Sequence, residues 1–317
     1  MIIGDMTANA DALQGATRLD DWGVLRASGA DTLSFLNGQL TQQLATLPEG
    51  DARLAGYCSA KGRLLASFVL WRAGADEVLL ASSADLLAST AKRLSMFVLR
   101  AKCRIEAAAA TWMPWGLVGN DARRWLQASA DEAPWQARRV GGGWAISLPV
   151  SMGMARWLWV AAPDASPPPL PLLASENWRA LEAASGIPRI VAATVDQFVP
   201  QMVNLELVGG VNFQKGCYPG QEVVARSQYR GTLKRRMVLF ECDAAASPGQ
   251  EIFHSADPDQ PAGLVVNAGR PVGAAAFVLA EVKLAALTGG TLHLGAVKGP
   301  ILQRVALPYA VAEAEAT

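Results

Sequence analysis

The sequence lacks the short motifs by which many nucleotide-binding and hydrolytic enzymes are recognised. It has no GxxxxGK(S/T) phosphate loop, no GxGxxG dinucleotide turn, no HExxH metal site and no GxSxG nucleophile elbow. The chain therefore lacks the local sequence signatures that nucleotide hydrolases and simple serine hydrolases usually carry. Any chemistry must come from a different set of side chains.

Cysteine and histidine are also scarce, with four and two residues. The cysteines are far apart and form no CxxC pair, so neither a disulfide scaffold nor a local metal site is indicated. The two histidines, His254 and His293, are also well separated, and we predict no metal centre. A reducing compartment is the simplest interpretation. The cysteines are Cys58, Cys103, Cys217 and Cys242.

The chain has no excess charge of either sign and no long uninterrupted apolar run. Lys plus Arg and Asp plus Glu both number 28, so the overall charge does not indicate a nucleic-acid or membrane partner. The apolar region 264–287 is interrupted by charged residues and a proline, which excludes a membrane span. Asp5 and Asp11 argue against a signal peptide. We therefore expect a soluble, cytoplasmic protein without membrane contact.

Basic residues are nevertheless concentrated in two stretches. Such stretches are most often solvated surfaces, and the alternative is a site for a polyanion, such as an RNA backbone or the glutamate tail of a folate. The first stretch, which contains no acid, consists of Lys92, Arg93, Arg100, Lys102 and Arg104, and the second consists of Arg226, Arg230, Lys234, Arg235 and Arg236.

The apolar pattern predicts more than one domain in this chain of 317 residues. Residues 22–161 read as strands interleaved with helices, without a regular repeat. The proline-rich segment 166–171 predicts a stiff linker. Residues 231–308 consist of short apolar runs separated by turn residues, which predicts an all-β module.

Leucine spacing predicts a helix after the strand at residues 22–27. Leu33, Leu36, Leu40 and Leu44 would lie on one face of it. A second helix is predicted at residues 174–185, where a glycine and a proline follow the last turn.

The densest group of reactive side chains lies at residues 212–226. Gly216 and Gly220 bracket Cys217, which predicts a turn and not the interior of a helix or strand. Lys215 is close enough in sequence for its ammonium to favour the thiolate of Cys217. Two interpretations remain open here, a reactive cysteine beside a cation or a small, partly buried side chain in a turn.

Residues 215–222, Lys-Gly-Cys-Tyr-Pro-Gly-Gln-Glu, match the KGCYxGQE signature of the YgfZ-type folate-binding proteins, which are relatives of the glycine-cleavage T-protein. The segments 29–41, 57–63 and 198–213 also resemble that family. The residues after the signature could form a short helix or an extended segment, and the cation of Arg226 also fits the family pattern.

The resemblance implies an α+β fold, with a T-protein-like ring of two interleaved α+β folate-binding subdomains and a C-terminal β-barrel. We place the folate-binding region at residues 1–230, with its linker near 163–171, and the barrel domain at 231–317. The implied cofactor is tetrahydrofolate. The implied role is assembly or maintenance of iron–sulfur enzymes, indirectly supporting tRNA thiomethylation. The implied partners are iron–sulfur assembly proteins or radical iron–sulfur tRNA-modifying proteins, and direct tRNA contact stays open.

The resemblance also implies roles for residues of and near the signature. Cys217 and Lys215 would supply the chemistry. Folate would be bound by Tyr218, Gln221, Glu222 and Arg226. Independently of the resemblance, Gln201, Asn204 and Glu206 are candidates for binding the pterin ring because they immediately precede the signature; the alternative is that they are solvated loop residues.

An alternative is a folate-dependent one-carbon (aminomethyl) transferase that uses Glu222 or another carboxylate as its base. In the alignment implied by the resemblance, Gln43 stands where the T-protein has an aspartate that assists chemistry at the folate. A glutamine cannot act as a general base near neutral pH. Gln43 therefore argues against T-protein chemistry.

Overall fold

Two antiparallel sheets and a closed barrel make up the framework of the protein. The computed structural model describes residues 13–229 and 233–311. The N-terminal acids Asp5 and Asp11, and the predicted domain boundary between residues 230 and 231, lie outside the described residues. The positions of the domain boundaries therefore stay a prediction.

The chain does not complete one sheet before it starts the next. Its first described strand, β1 (Gly15–Arg18), is followed by five strands that form a sheet without it, in the spatial order β3-β4-β5-β2-β6. These strands are β2 (Trp22–Ser28), β3 (Ala52–Cys58), β4 (Leu64–Gly74), β5 (Glu77–Ser83) and β6 (Arg104–Ala107).

The chain then returns to β1 and builds a second sheet around it, in the order β1-β7-β10-β9-β8. Because β1 and its partners are separated by the whole first sheet, the two α+β units are interleaved, as predicted. The added strands are β7 (Met113–Val118), β8 (Ala137–Val140), β9 (Gly143–Ser151) and β10 (Met154–Ala161).

Helix α1 (Thr32–Asn37) is shorter than the leucine spacing predicts. The prediction that Leu40 and Leu44 belong to this helix is wrong, although both side chains are fully buried. The Asn37 carboxamide accepts a hydrogen bond from the Leu44 amide at 2.8 Å, which turns the chain back after the helix. Leu40 then forms an isolated antiparallel bridge with Tyr57 of β3.

The remaining helices lie on the sheets or join them to the barrel. They are α2 (Leu87–Ser95), α3 (Asn120–Leu126), α4 (Ser175–Ala184) and α5 (Gln221–Tyr229). Helix α4 confirms the prediction for residues 174–185. The proline-rich segment before it has no helix or strand and runs beside β1, where the Ala16 amide donates to the Pro171 carbonyl at 2.8 Å.

The barrel closes in the order β11-β14-β13-β12-β15-β16. Closure occurs because β11 pairs with both β14 and β16, and it removes the exposed sheet edges that an open sheet leaves. The six strands are β11 (Arg235–Cys242), β12 (Glu251–His254), β13 (Asp257–Gly269), β14 (Ala276–Lys283), β15 (Leu292–Leu294) and β16 (Ile301–Val305). The predicted α+β class with a C-terminal barrel is confirmed.

Helix α4 packs between the second sheet and the barrel. Its Trp178 ring lies on Gly116 of β7, where a Cβ atom would be 2.4 Å from the ring. On the other side, a Cβ on Gly269 of β13 would be 2.2 Å from the Ala180 backbone nitrogen. Both contacts require glycine, since any side chain would push the helix away. Trp178 is 1% exposed, and truncating such a side chain to alanine typically costs about 3–5 kcal/mol.

No helix within residues 13–229 or 233–311 combines the length and the hydropathy that a membrane crossing requires.

Candidate functional site

The signature loop is held by a close contact between two glycine turns. Gly220 has a φ of +77°, and a Cβ atom there would be 2.4 Å from the Ser59 carbonyl oxygen. Gly62, in the turn between β3 and β4, has a φ of +73° and faces Val223 of α5. The two stretches that carry the family resemblance therefore pack directly on each other. Gly216 differs, because a Cβ atom there would meet nothing within 4 Å.

Lys215 is buried, with an exposure of 8%. Its Nζ donates hydrogen bonds to the carbonyl oxygens of Asn37 at 2.5 Å and Leu40 at 3.0 Å, just beyond the end of α1. The amine also lies 4.8 Å from the centre of the Tyr218 ring. Burial lowers the pKa of Lys215 to about 8, and the neighbouring Cys217 opposes this shift. The lysine therefore stabilises the loop after α1 and can lose its proton at mildly alkaline pH.

Cys217 is an exposed free thiol, in contrast to its neighbours Lys215 and Tyr218. Tyr218 is buried, and burial beside Cys58 raises its pKa well above the usual range. Cys58 itself is buried in β3, which raises its pKa to about 12. Of these groups, only Cys217 combines a thiol with access to solvent.

The signature continues into α5, which settles the choice between a helix and an extended segment in favour of a helix. Glu222 and Arg226 are exposed on it, in the first and last turns, where their charges complement the helix dipole. Neither makes an ion pair with another described residue. Gln221 is half-buried at the first position of α5. The structure thus places Glu222 and Arg226 on the surface beside Cys217.

Gln201, Asn204 and Glu206 lie together against the barrel strand β11. Arg236 of that strand donates to the Gln201 carbonyl at 2.9 Å and forms an ion pair with Glu206. Asn204 donates to the Met237 carbonyl at 2.9 Å. Burial raises the pKa of Glu206, and Arg236 opposes the rise. These contacts join the segment before the signature to the barrel, and a role for the three residues in folate binding stays a prediction.

Thr41 joins the loop after α1 to the segment that leads into the signature. Its hydroxyl donates to the Gly210 carbonyl at 2.6 Å and accepts from the Gly56 amide at 2.7 Å. Gln43, two residues later, is half-buried, and its side-chain oxygen has no hydrogen-bond partner among the described residues. The group at this position is therefore an uncharged carboxamide whose oxygen is buried and unpaired.

A second cluster of charges lies at the end of α4, and no sequence motif marks it. Glu182 accepts a hydrogen bond from the Trp22 indole at 3.0 Å and lies 3.6 Å from Arg189. Arg189 pairs with Asp21 at 2.8 Å. Burial raises the pKa of Glu182, and Arg189 and Arg156 oppose this rise. One signal was available, since Glu182 is four residues after Trp178 and lies on the buried face of α4.

The same burial and the same charges shift the pKa values of the neighbouring arginines. Burial lowers the pKa of Arg156 to about 10. The pKa of Arg189 is raised instead, because the charges of Glu182 and Asp21 outweigh its burial. Although burial favours its neutral form, Arg189 and Arg179 hold the pKa of Asp21 below its usual range. Within this partly buried network the ion pair of Arg189 and Asp21 favours its charged form, whereas burial disfavours the charges of Glu182 and Arg156.

Two cavities share Glu182, Ile187 and Arg189 in their walls. The smaller has a volume of about 40 Å³. The larger, of about 520 Å³, is lined by charged, polar and small apolar groups, Ala246 among them, with no aromatic side chain. None of the signature residues lines either cavity. The smaller cavity, called the aromatic cleft below, is also lined by Trp22, Leu54, Ser67, Phe68, Val69, Trp135, Leu148, Arg156, Ser185 and Pro188.

Strand β3 connects the aromatic cleft to the signature loop. Leu54 lines the cleft, and Cys58, four residues later, lies beside Tyr218. At about 3.3 Å per residue these two positions are roughly 13 Å apart along the strand. Strand β3 thus runs from the wall of the aromatic cleft to the buried side of the signature loop.

Comparison with known proteins identifies the family. The chain is 35% identical over 242 residues to the tRNA-modifying protein YgfZ of Edwardsiella ictaluri, covering 73% of this chain and 72% of that protein. It is 31% identical over 250 residues to the protein of the same name from Shigella boydii, covering 76% of each chain. The chain belongs to the YgfZ family. No protein-family model matches it.

The fold of this YgfZ family member is similar to that of the glycine cleavage system aminomethyltransferase T from Bartonella henselae. The TM-score is 0.74, at 14% sequence identity, and the match covers 96% of this chain and 89% of the other. The likeness confirms the predicted T-protein-like architecture. At this level of identity it shows the fold and does not transfer an activity.

Proposed function

We propose that this protein binds tetrahydrofolate with its pteridine ring in the aromatic cleft, and that it supports the assembly or maintenance of iron–sulfur enzymes, including enzymes that modify tRNA. The observation that carries the folate assignment is the position of Glu182. A carboxylate that is only 13% exposed, beside a cleft with aromatic and aliphatic walls, is the combination that small-molecule sites use to orient a flat, polar ring.

The chemistry of a pteridine matches this carboxylate. One edge of the ring carries an N–H and an amino group side by side, and such a pair can donate two parallel hydrogen bonds to one ionised carboxyl group. Arg189 and Arg156 favour the ionised form of Glu182. In this proposal Glu182 orients the ring, while Trp22 and Phe68 exclude water from it.

The volume of the aromatic cleft sets a condition on the proposal. About 40 Å³ accommodates a water molecule or two and not a pteridine, so side chains at its mouth must move when folate enters. The larger cavity, of about 520 Å³, is of ordinary ligand size but offers no aromatic wall. A tryptophan in place of Ala246, which lines only the larger cavity, would occupy part of that cavity without adding a group to the wall of the aromatic cleft.

The thiol of Cys217 is the group that we propose acts near the folate. It is exposed and lies beside a lysine whose pKa is lowered to about 8. Tyr218, Gln221, Glu222 and Arg226 would then bind the part of the folate that extends from the cleft toward the signature loop. Gln201, Asn204 and Glu206 would act through their contacts with Arg236.

The folate assignment is tested by calorimetry with tetrahydrofolate. Replacing Glu182 by glutamine should weaken binding about 10- to 100-fold, because a hydrogen bond to a charged group contributes roughly 1.5–3 kcal/mol. Glu176→Gln, an exposed change in the first turn of the same helix, is the matched control. Equal affinity of the wild type and Glu182→Gln would refute the site, and loss of binding in Ala246→Trp would move the ligand to the larger cavity.

The cellular role is tested in cells from which the gene has been deleted. The wild-type gene should restore thiomethylated tRNA, and both Cys217→Ala and Lys215→Ala should restore less. Full restoration by both variants would remove the assigned chemistry. Turnover of an aminomethyl donor with tetrahydrofolate by the purified protein would favour the alternative, a one-carbon transferase.

A further inference from the structure

Three large apolar side chains lie in water at the C-terminal end of α2. Leu99 is 90% exposed, Met96 59% and Phe97 46%. Single exposed apolar residues are ordinary on protein surfaces, but three within four positions form a patch. Residues 96–98 continue the turn of the helix, since the Phe97 amide donates to the Leu94 carbonyl and the Val98 amide to the Ser95 carbonyl, and Leu99 follows directly. The patch is therefore on an ordered turn.

Cations surround these apolar side chains. Residues 86–105 contain no acid, and the four basic side chains nearest in sequence make no ion pair with another described residue. Glu106 is already paired with Arg104 and Arg26, and Asp31 accepts a hydrogen bond from the Lys102 amide at 2.7 Å. The apolar–basic patch is defined here as Lys92, Arg93, Met96, Phe97, Leu99, Arg100 and Lys102.

We propose that the apolar–basic patch is a docking surface for a partner protein that presents apolar side chains flanked by aspartate or glutamate. Charge complementarity selects the acidic flanks, because an unpaired cluster of cations attracts and orients an acidic surface. Met, Phe and Arg are among the residues enriched at protein interfaces, and Met adapts its shape to a partner.

RNA fits the patch less well. Four cations could contact phosphates, but single-stranded nucleic acid is bound through rings on which bases stack. Met96 and Leu99 have no ring, and Phe97 is the least exposed of the three apolar side chains. The helix dipole accounts for the positions of Lys92 and Arg93, because cations in the last turn of α2 are stabilising. It does not explain apolar side chains in water.

The patch is linked to the signature loop by consecutive contacts. Burial raises the pKa of Tyr57, and the adjacent Arg93 guanidinium opposes the rise. Tyr57 bridges Leu40, whose carbonyl accepts from Lys215. The patch is therefore joined to Lys215 of the signature loop through Tyr57 and Leu40. The docking surface itself does not depend on folate binding.

The experiment places a photo-crosslinking phenylalanine at position 97 in living cells, with the same residue at exposed Val272 as the control. The protein captured at position 97 is identified, purified and titrated against wild type, Leu99→Asp and Val272→Asp. We expect the affinity to fall at least tenfold for Leu99→Asp and to stay unchanged for Val272→Asp. It should also weaken with increasing salt and in Arg100→Glu/Lys102→Glu.

Three outcomes would overturn the proposal. The first is no captured protein above the Val272 control, and the second is a captured protein that binds Leu99→Asp as tightly as wild type. The third is capture of RNA at position 97, together with tRNA binding that Leu99→Asp abolishes. Urea unfolding of each variant confirms that these exposed changes leave the fold intact. Tetrahydrofolate calorimetry of the same variants should be unchanged, which separates this surface from the folate site.

Discussion

At the end of α4 and in the signature loop, the protein places its reactive groups in opposite environments. Glu182 is largely buried, which raises its pKa, and Arg189 and Arg156 from other parts of the chain oppose that rise. In the signature loop the reactive thiol of Cys217 is in water, while the neighbouring Lys215 is buried and bound to backbone carbonyls. The first arrangement is suited to recognising a ligand, because fixed, desolvated groups discriminate strongly. The second is suited to reaction with a molecule that arrives from solvent.

The largest expected effect concerns the thiols. In the folded protein at pH 8, iodoacetamide should alkylate Cys217 more than a thousand times faster than Cys58. Burial raises the pKa of Cys58 to about 12, and only thiolates react appreciably. Mass spectrometry of peptides after timed labelling measures both rates. In concentrated urea the difference should disappear, and comparable rates in the folded state would contradict the contrast between exposed and buried thiols.

The second effect concerns the contact that holds the signature loop. Gly220→Ala should destabilise the protein by at least about 2 kcal/mol, because a side chain at positive φ is strained and its Cβ would overlap Ser59. Gly216→Ala is the matched control, since its Cβ meets nothing, and it should change stability by less than about 0.5 kcal/mol. Urea unfolding measures both. Equal losses of stability in Gly220→Ala and Gly216→Ala would show that the contact at Gly220 does not hold the loop.

The third effect tests the charge of Glu182. If the pteridine donates to an ionised carboxylate, tetrahydrofolate affinity should fall about tenfold per pH unit once the pH drops below the pKa of Glu182. Burial raises that pKa, so the fall should begin at a higher pH than for an ordinary glutamate. Calorimetry of the wild type and Glu182→Gln at several pH values separates this from titration of the ligand. Parallel pH profiles would remove Glu182 from recognition.

The smallest effect concerns Lys215. Its pKa in the folded state is about 8, below the ordinary value of 10.5, so the unfolded state binds more protons between these values. Stability should therefore rise with pH from about 8 toward 10 relative to Lys215→Met, in which no amine titrates. Urea unfolding of both proteins at pH 7.5 and 9.5 measures the difference. A steeper rise in Lys215→Met would reverse the assigned direction.

Local pattern predicts some of this architecture well and some of it poorly. Helix α4 begins and ends where its sequence indicates, because a glycine and a proline stop it. Helix α1 does not continue through Leu40 and Leu44, because the Asn37 side chain captures the backbone beyond it. The leucine periodicity correctly predicted that Leu40 and Leu44 are buried, but it predicted a helix that is too long. A buried leucine in a turn and one on a helix face leave the same spacing in the sequence.

The two basic stretches, which look alike in sequence, separate in the structure. In the second stretch, Arg235 pairs with Glu281 and Arg236 with Glu206, while Arg230 lies outside the described residues. In the first stretch Arg104 pairs with Glu106, whereas Lys92, Arg93, Arg100 and Lys102 make no ion pair with another described residue. The partners of Arg235 and Arg236 lie elsewhere in the chain, and a search for clustered cations cannot detect such pairing.

The sequence by itself determined the family, through eight consecutive residues that no composition argument could supply, and the interleaved α+β class with its barrel. Only the tertiary structure brought Trp22 and Glu182, 160 residues apart, together with Arg189 beside the aromatic cleft. Local pattern reports which residues prefer a turn, a helix or burial. Which buried charge contacts which partner depends on how the two interleaved sheets and the barrel pack around α4. Because water is excluded there, the loss of any one of these contacts would cost more free energy than at the surface.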